Sequence, residues 1–139
     1  MEKKVFSLGN STTACYFNGS IQKLPSLAEK KKSVIITDEN VYREHSKKIK
    51  QFPVIIIPAG EQHKTQQTAN DIIHQLIELG ADRNTLLIGM GGGVVTDLTG
   101  YVASVYMRGV KFGFIPTTVL AMVDASIGGK NGIDVGVYK

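Results

Sequence analysis

Three consecutive glycines, Gly91, Gly92 and Gly93, follow a short apolar run and open a helical pattern. A strand that feeds a glycine turn and then a helix can hold phosphate. The first-turn N–H groups point outward and the helix dipole adds partial positive charge. The same glycines could instead serve close packing of helix on sheet. Two standard fingerprints fail in detail. Read from Gly89 or Gly91, G-x-G-x-x-G ends on Val94 or Thr96, and a P-loop read back from Gly129-Lys130 would need glycine at Asp124 and a hydroxyl at Asn131.

The helix after the glycines has an apolar stripe, Val94, Leu98, Val102 and Val105. A second face, Gly93, Asp97, Gly100 and Ser104, carries almost no bulk. Another part of the molecule or a ligand can approach the backbone there. Asp97 is a carboxylate one turn into an apolar helix and needs a partner. Further on, VDASIGGKNGID is poor core and poor linker. Its glycines admit a ligand near the backbone, while Asp124 and Lys130 supply charge. Asp38 could accept bonds from ribose hydroxyls or cap the following helix. Glu61 and Lys64 flank a turn, as a weak surface ion pair or a cofactor contact. Thr117 and Thr118 are helix-cap candidates, and Arg108 beside Gly109 could reach a phosphate or lie on the surface.

These residues need a scaffold. Lys3 to Leu8 and Thr13 to Phe17 read as two strands joined around Gly9-Asn10-Ser11. Ile21 to Lys32 reads as one short helix with Pro25 near its start. Ser33 to Thr37 is a continuous apolar strand of the kind covered on both faces. A helix over Glu39 to Gln51, a strand over Val54 to Ile57 and a helix capped by Thr65 and stopped by Gly80 follow. Strand 85–89, helix 92–107 and strand 111–115 complete an alternation, with a further turn and helix starting at Pro116. Alternation predicts a parallel, doubly wound sheet with right-handed crossovers. Ligands in such sheets sit beyond the carboxyl ends of the strands, where Asp38, Glu61, Lys64, Asp97, Thr117 and Thr118 fall.

Composition narrows the function. A chain of 139 residues suits one domain, and 42% hydrophobic content supports a core. The net charge of +4 comes with no aromatic-interleaved basic stripe, which argues against nucleic acid and suits a small anionic substrate. Cys15 is the only cysteine, so neither an internal disulfide nor a thiolate zinc cluster can form. No apolar run has membrane-spanning length, and a cytoplasmic protein is expected. His45, His63 and His74 share no helical spacing, so no histidine metal site is expected. The chain ends at Val137-Tyr138-Lys139 without a closing element, as if a second domain should follow.

The pieces GMGGGVVTDLTGYVAS, YMRGVKF and IPTTVLAMVDASIGGKNGID, with TDENVY and PAGEQHKT upstream, occur in the order and spacing of 3-dehydroquinate synthase, which the sequence resembles from about Val34 to its end. The resemblance implies a Rossmann-like, doubly wound, mostly parallel sheet with an N-terminal β-hairpin. It implies that residues 1–139 are the N-terminal nucleotide-binding domain, without the C-terminal helical domain that carries the metal ligands. Asp38, Asn40, Glu61 and Lys64 would then hold the adenosine and nicotinamide ribose parts of NAD. Gly92, Gly93 and Val94 would lie along the pyrophosphate. Asp97, Thr117, Thr118 and Leu120 would continue toward nicotinamide, and Lys139 matches a lysine of the family's G-K-N segment. Asp124 and Lys130 would sit where cofactor meets substrate as catalytic residues, Lys130 holding anionic groups. Arg108 would reach the substrate phosphate of a neighbouring subunit, which implies a homodimer.

The implied reaction converts 3-deoxy-D-arabino-heptulosonate 7-phosphate to 3-dehydroquinate and phosphate, in the shikimate pathway. It proceeds by transient oxidation, phosphate elimination, reduction and intramolecular aldol closure, with catalytic NAD and a divalent metal, zinc or cobalt. Four positions depart from the family pattern: Asp134 replaces a common asparagine, Val135-Gly136 a His-Pro pair, and Thr96 a frequent glycine. The fragment alone is expected to be inactive. The competing expectations are another sugar-phosphate cyclase and a stand-alone NAD-binding module.

Overall fold

The computed structural model describes residues 1–138, the side chain of Leu8 excepted. Strands β1 (Glu2–Leu8) and β2 (Ser11–Phe17) form an antiparallel hairpin, a two-stranded sheet of its own. Gly9 turns it at φ +59°, a conformation that favours glycine. The second sheet contains β3 (Ser33–Asp38), β4 (Val54–Ile57), β5 (Leu86–Gly91) and β6 (Phe112–Pro116), all parallel, in the order β4-β3-β5-β6.

β3 is a β-branched run with its first five residues buried. Alternation sends Val34 and Ile36 into one core and Ile35 into another. The first core lies under helices α3 (Gln66–Glu78) and α4 (Gly93–Val105), through Ala69, Ile72, Leu76, Val95, Leu98 and Val102. The second lies under α1 (Leu24–Leu27) and α2 (Glu39–Ile49), through Leu24, Ile49 and Phe52 with Ile88 and Met90 of β5. Each fully buried Ile or Leu contributes about 1.5–3 kcal/mol. The doubly wound parallel sheet and the N-terminal hairpin are both present.

Three local expectations need correction. Ile21 to Lys32 is not one helix. It breaks into 3-10 turns at Ile21–Lys23 and Lys30–Lys32 around the four residues of α1, because Ala28 is extended (φ −137°, ψ 132°). Buried Ala28 packs in the second core, and three adjacent lysines gain nothing from helical stacking. The apolar face of α4 uses Val95; Val105 is 49% exposed. Finally, α4 stops at Val105, and Met107 (φ 47°), Arg108 (φ 67°) and Gly109 (φ 108°) follow in left-handed conformations.

Strand order reverses between β3 and β5. β3 connects outward to β4, while β5 connects to β6 on the other side. Such a switch point leaves a crevice beyond the strand ends. The Thr37 hydroxyl, fully buried, donates to the Met90 carbonyl at 2.7 Å and ties the two strands at that level.

Candidate functional site

At the end of β5 the glycines divide into two uses. A Cβ on Gly89 would lie 2.6 Å from Thr99 Oγ1, and one on Gly91 would lie 2.6 Å from Val95 Cγ2. These two glycines let α4 pack on the sheet. A Cβ on Gly93 would meet nothing within 4 Å. Gly92 is the N-cap of α4 in extended conformation (φ −81°, ψ −166°), and no side chain caps the first turn. The packing reading therefore holds at Gly89 and Gly91, while the face at Gly93 stays open. The open end of α4 keeps outward N–H groups and the positive end of the dipole for an anion.

One turn into α4, Asp97 has found a partner. Lys64 Nζ lies 2.6 Å from Asp97 Oδ2 and 3.9 Å from Glu61 Oε1. The Lys64 and Asp97 side chains are only 14% and 19% exposed. Burial works to lower the Lys64 pKa. The hydrogen bond and charge of Asp97, with the charges of Glu61 and Asp134, outweigh it and raise the pKa above its ordinary value. The lysine is thus a fixed cation. It follows the 3-10 turn Glu61–His63, which starts from Gly60 at φ +116°. Thr65 then caps α3, its Oγ1 accepting from the Thr68 N–H at 3.2 Å.

The glycine-rich segment folds against this pair. Lys64 and Asp97 share a cleft of about 500 Å³ with Lys130, Asn131, Ile133 and Asp134. The Asp134 N–H donates to the Lys64 carbonyl at 2.8 Å. On the bare face of α4, a Cβ at Gly100 would overlap the side-chain amide of Asn131. The close approach expected on that face is made by the chain itself at Gly100 and left open at Gly93. Ser104 takes no part, since its hydroxyl donates to its own helix at the Tyr101 carbonyl.

The remaining expected residues form a looser set. Asp38 Oδ1 accepts from the Asn40 and Val41 N–H groups at 2.9 Å each, so Asp38 caps α2 at the switch point. Oδ2 takes no part in that cap. Asn40 Oδ1 accepts from Arg43 at 3.1 Å. The Thr117 N–H donates to the Gly91 carbonyl at 2.9 Å, and Thr118 packs near Gly92. Thr118 Oγ1 accepts from the Ala121 N–H at 3.2 Å at the start of a π-helix, Ala121–Ala125. Leu120 is 68% exposed beside it. Asp124 is exposed and lies outside the cleft lining, against the Gly128 turn. Arg108 stands at the far end of α4, about 20 Å from the glycine turn at 1.5 Å per residue. Lys139 lies outside the described residues. Among the described residues, no three His, Cys, Asp or Glu side chains come together for a metal ion. Among the same described residues no helix is long and apolar enough to cross a membrane.

Asn131 and Asp134 were not singled out as site residues from the sequence. The available signals were their place in the small-residue segment and the glycine at position 100 of an otherwise good helix.

Comparison with known proteins gives the family and the fold. The profile described as 3-dehydroquinate synthase N-terminal matches residues 54–139. A 3-dehydroquinate synthase of Thermococcus kodakarensis is 47% identical over 123 residues, 84% of this chain and 36% of the relative. One from Pyrococcus abyssi is 59% identical over 83 residues, 60% of this chain and 25% of the relative. The chain thus spans about a quarter to a third of the length of these relatives. Among solved structures, 2-epi-5-epi-valiolone synthase from Streptomyces hygroscopicus subsp. jinggangensis 5008, with NAD+ and Zn2+ bound, superposes with a TM-score of 0.73 at 30% identity. That match covers 82% of this chain and 35% of the other. A 2-deoxy-scyllo-inosose synthase complexed with carbaglucose-6-phosphate, NAD+ and Co2+ shares the fold, with a TM-score of 0.82 at 23% identity over 99% of this chain and 41% of that one.

Proposed function

This chain belongs to the 3-dehydroquinate synthase family, and we propose that it is the NAD-binding, N-terminal part of such an enzyme. The proposed whole-enzyme reaction is conversion of 3-deoxy-D-arabino-heptulosonate 7-phosphate to 3-dehydroquinate and phosphate. The observation that carries the reading is the Lys64–Asp97 pair at 2.6 Å. It joins the open glycine turn and the Lys130 segment around one fixed cation at a switch point.

Bound NAD supplies reversible hydride transfer, so that a ring hydroxyl is oxidised, phosphate is eliminated, and the carbonyl is reduced again before the aldol step. The chain's own part is binding and orientation. First-turn N–H groups at Gly93 and Val94, behind Gly92, donate to the pyrophosphate. Asp38, through the oxygen its cap leaves over, accepts from ribose hydroxyls together with Asn40 and Glu61. Lys64 is kept charged and immobile by Asp97. Thr117, Thr118 and Leu120 border the nicotinamide end. Lys130 reaches into the cleft and binds anionic groups of the substrate, with Asp124 near that junction. Arg108, at the other end of α4, serves a neighbouring subunit's substrate phosphate in a homodimer. The described residues do not fit a metal site, so no step is assigned to a metal here; its ligands belong to the following helical domain.

The test joins this chain to the remaining two-thirds of the Thermococcus kodakarensis relative and measures phosphate release with catalytic NAD. Release from 3-deoxy-D-arabino-heptulosonate 7-phosphate, without net NADH, is expected. Release from glucose 6-phosphate instead would assign the chain to a different sugar-phosphate cyclase.

A further inference from the structure

Residues 128–134 contain Gly128, Gly129 and Gly132 and no regular element. A segment of this composition loses much entropy when fixed. It nonetheless meets the rest of the fold at two points. The first is Gly100. A glycine in mid-helix costs about 1 kcal/mol relative to alanine, and Gly100 has no positive φ to require it. It supplies room, because a Cβ there would overlap the Asn131 amide. The second is the Asp134 N–H bond of 2.8 Å to the carbonyl of Lys64, the residue whose ammonium holds Asp97. Asp134 Oδ1 is buried without a hydrogen-bond partner among the described residues, a cost consistent with its backbone being fixed.

We propose that Asn131 and Asp134 are positioning residues for Lys130, clasping the glycine segment onto α4 and the Lys64 turn so that its ammonium is delivered to the cleft. Gly100 is the seat that makes the clasp possible. The inference rests on the reading of Lys130 as the residue that holds the substrate's anionic groups beside an NAD site.

Two arms test it. Amide hydrogen exchange on this chain needs no ligand. Asn131→Ala and Gly100→Ala should each speed exchange of the Asp134 amide by about tenfold, the worth of one hydrogen bond, while Val102 and Ala103 of α4 keep their protection. Asp134→Asn keeps the N–H and should leave it protected. Unchanged Asp134 protection in both Asn131→Ala and Gly100→Ala would overturn the clasp. In the second arm inorganic phosphate, an anion of the kind Lys130 is read to hold, is titrated into Lys130→Met, Asn131→Ala and the double variant. If Asn131 acts through Lys130, the double variant binds no more weakly than Lys130→Met alone. Additive losses would overturn the positioning role. Absence of phosphate binding in every variant and in the unaltered chain would overturn the reading of Lys130 itself, independently of the exchange result.

Discussion

Lys64 stands near three acidic side chains, bonded to one of them. Asp97 accepts its hydrogen bond at 2.6 Å, Glu61 lies at 3.9 Å, and Asp134 acts through charge alone. Removing the ammonium leaves Asp97 partly buried and unpaired. Lys64→Met should therefore cost about 2 kcal/mol, below the ~3–5 of a fully buried pair, because both side chains keep some solvent contact. Chemical denaturation measures this. The pH dependence follows from two raised pKa values. Lys64 is raised as described. The Tyr106 hydroxyl is raised by burial first and by the Asp82 charge second, and it donates to the Ala81 carbonyl at 2.7 Å. A group whose folded pKa is raised contributes stability that is complete below its unfolded value and is lost as pH climbs through the folded one. Melting temperature should fall above about pH 10, and the fall should be shallower in Lys64→Met. At this scale the sequence was half legible. Asp97 announced that it needed a partner, because a carboxylate among apolar helix positions is costly alone. The partner was not legible, since Lys64 reaches it from a turn in another element, and local spacing suggested only Glu61.

The glycine turn separates packing from binding within one element. Gly91→Ala would drive a Cβ to 2.6 Å from Val95 and should destabilise the fold by about 1–3 kcal/mol through overpacking. Gly93→Ala meets open space at the first position of α4, where alanine is the better helix former. It should leave the melting temperature unchanged or slightly higher while weakening NAD, whose pyrophosphate would lie against that face. Equal NAD affinity in Gly93→Ala would contradict the assignment. Elements with strong periodicity or β-branched runs, β3, β4, α3 and β5, were legible to within a few residues. The Ile21 to Lys32 stretch was not, because its apparent helix is decided by Ala28 turning extended to pack in the second core. The end of α4 was legible at Arg108-Gly109, though the left-handed backbone at Met107 and Arg108 has no sequence signal. Such non-glycine residues carry a cost of about 1 kcal/mol or more.

Past β6 the chain exposes a run of apolar side chains. Val119, Leu120, Val123, Ile127, Val137 and Tyr138 are each 63% exposed or more, all beyond β6 and near the cleft segment. The proposed remainder of the enzyme is the natural cover for these side chains. Val119→Ser with Val123→Ser should improve solubility of this chain without lowering its melting temperature, because neither side chain contributes to its cores. Light scattering and thermal unfolding read the two effects. The alternation of strands and helices made the sheet legible at this scale, and the small-residue segment after it was legible as neither core nor linker. How that segment folds back onto α4 was not, because a glycine-rich stretch carries no periodicity to fix its path. The measurement that bears most directly on the central claim is calorimetric titration of this chain with NAD, alongside Lys64→Ala and Asp97→Ala. Saturable binding that both substitutions weaken, by about tenfold for loss of one charge-assisted contact, is the expected result. Binding that neither substitution changes would contradict a cofactor site built around the Lys64–Asp97 pair.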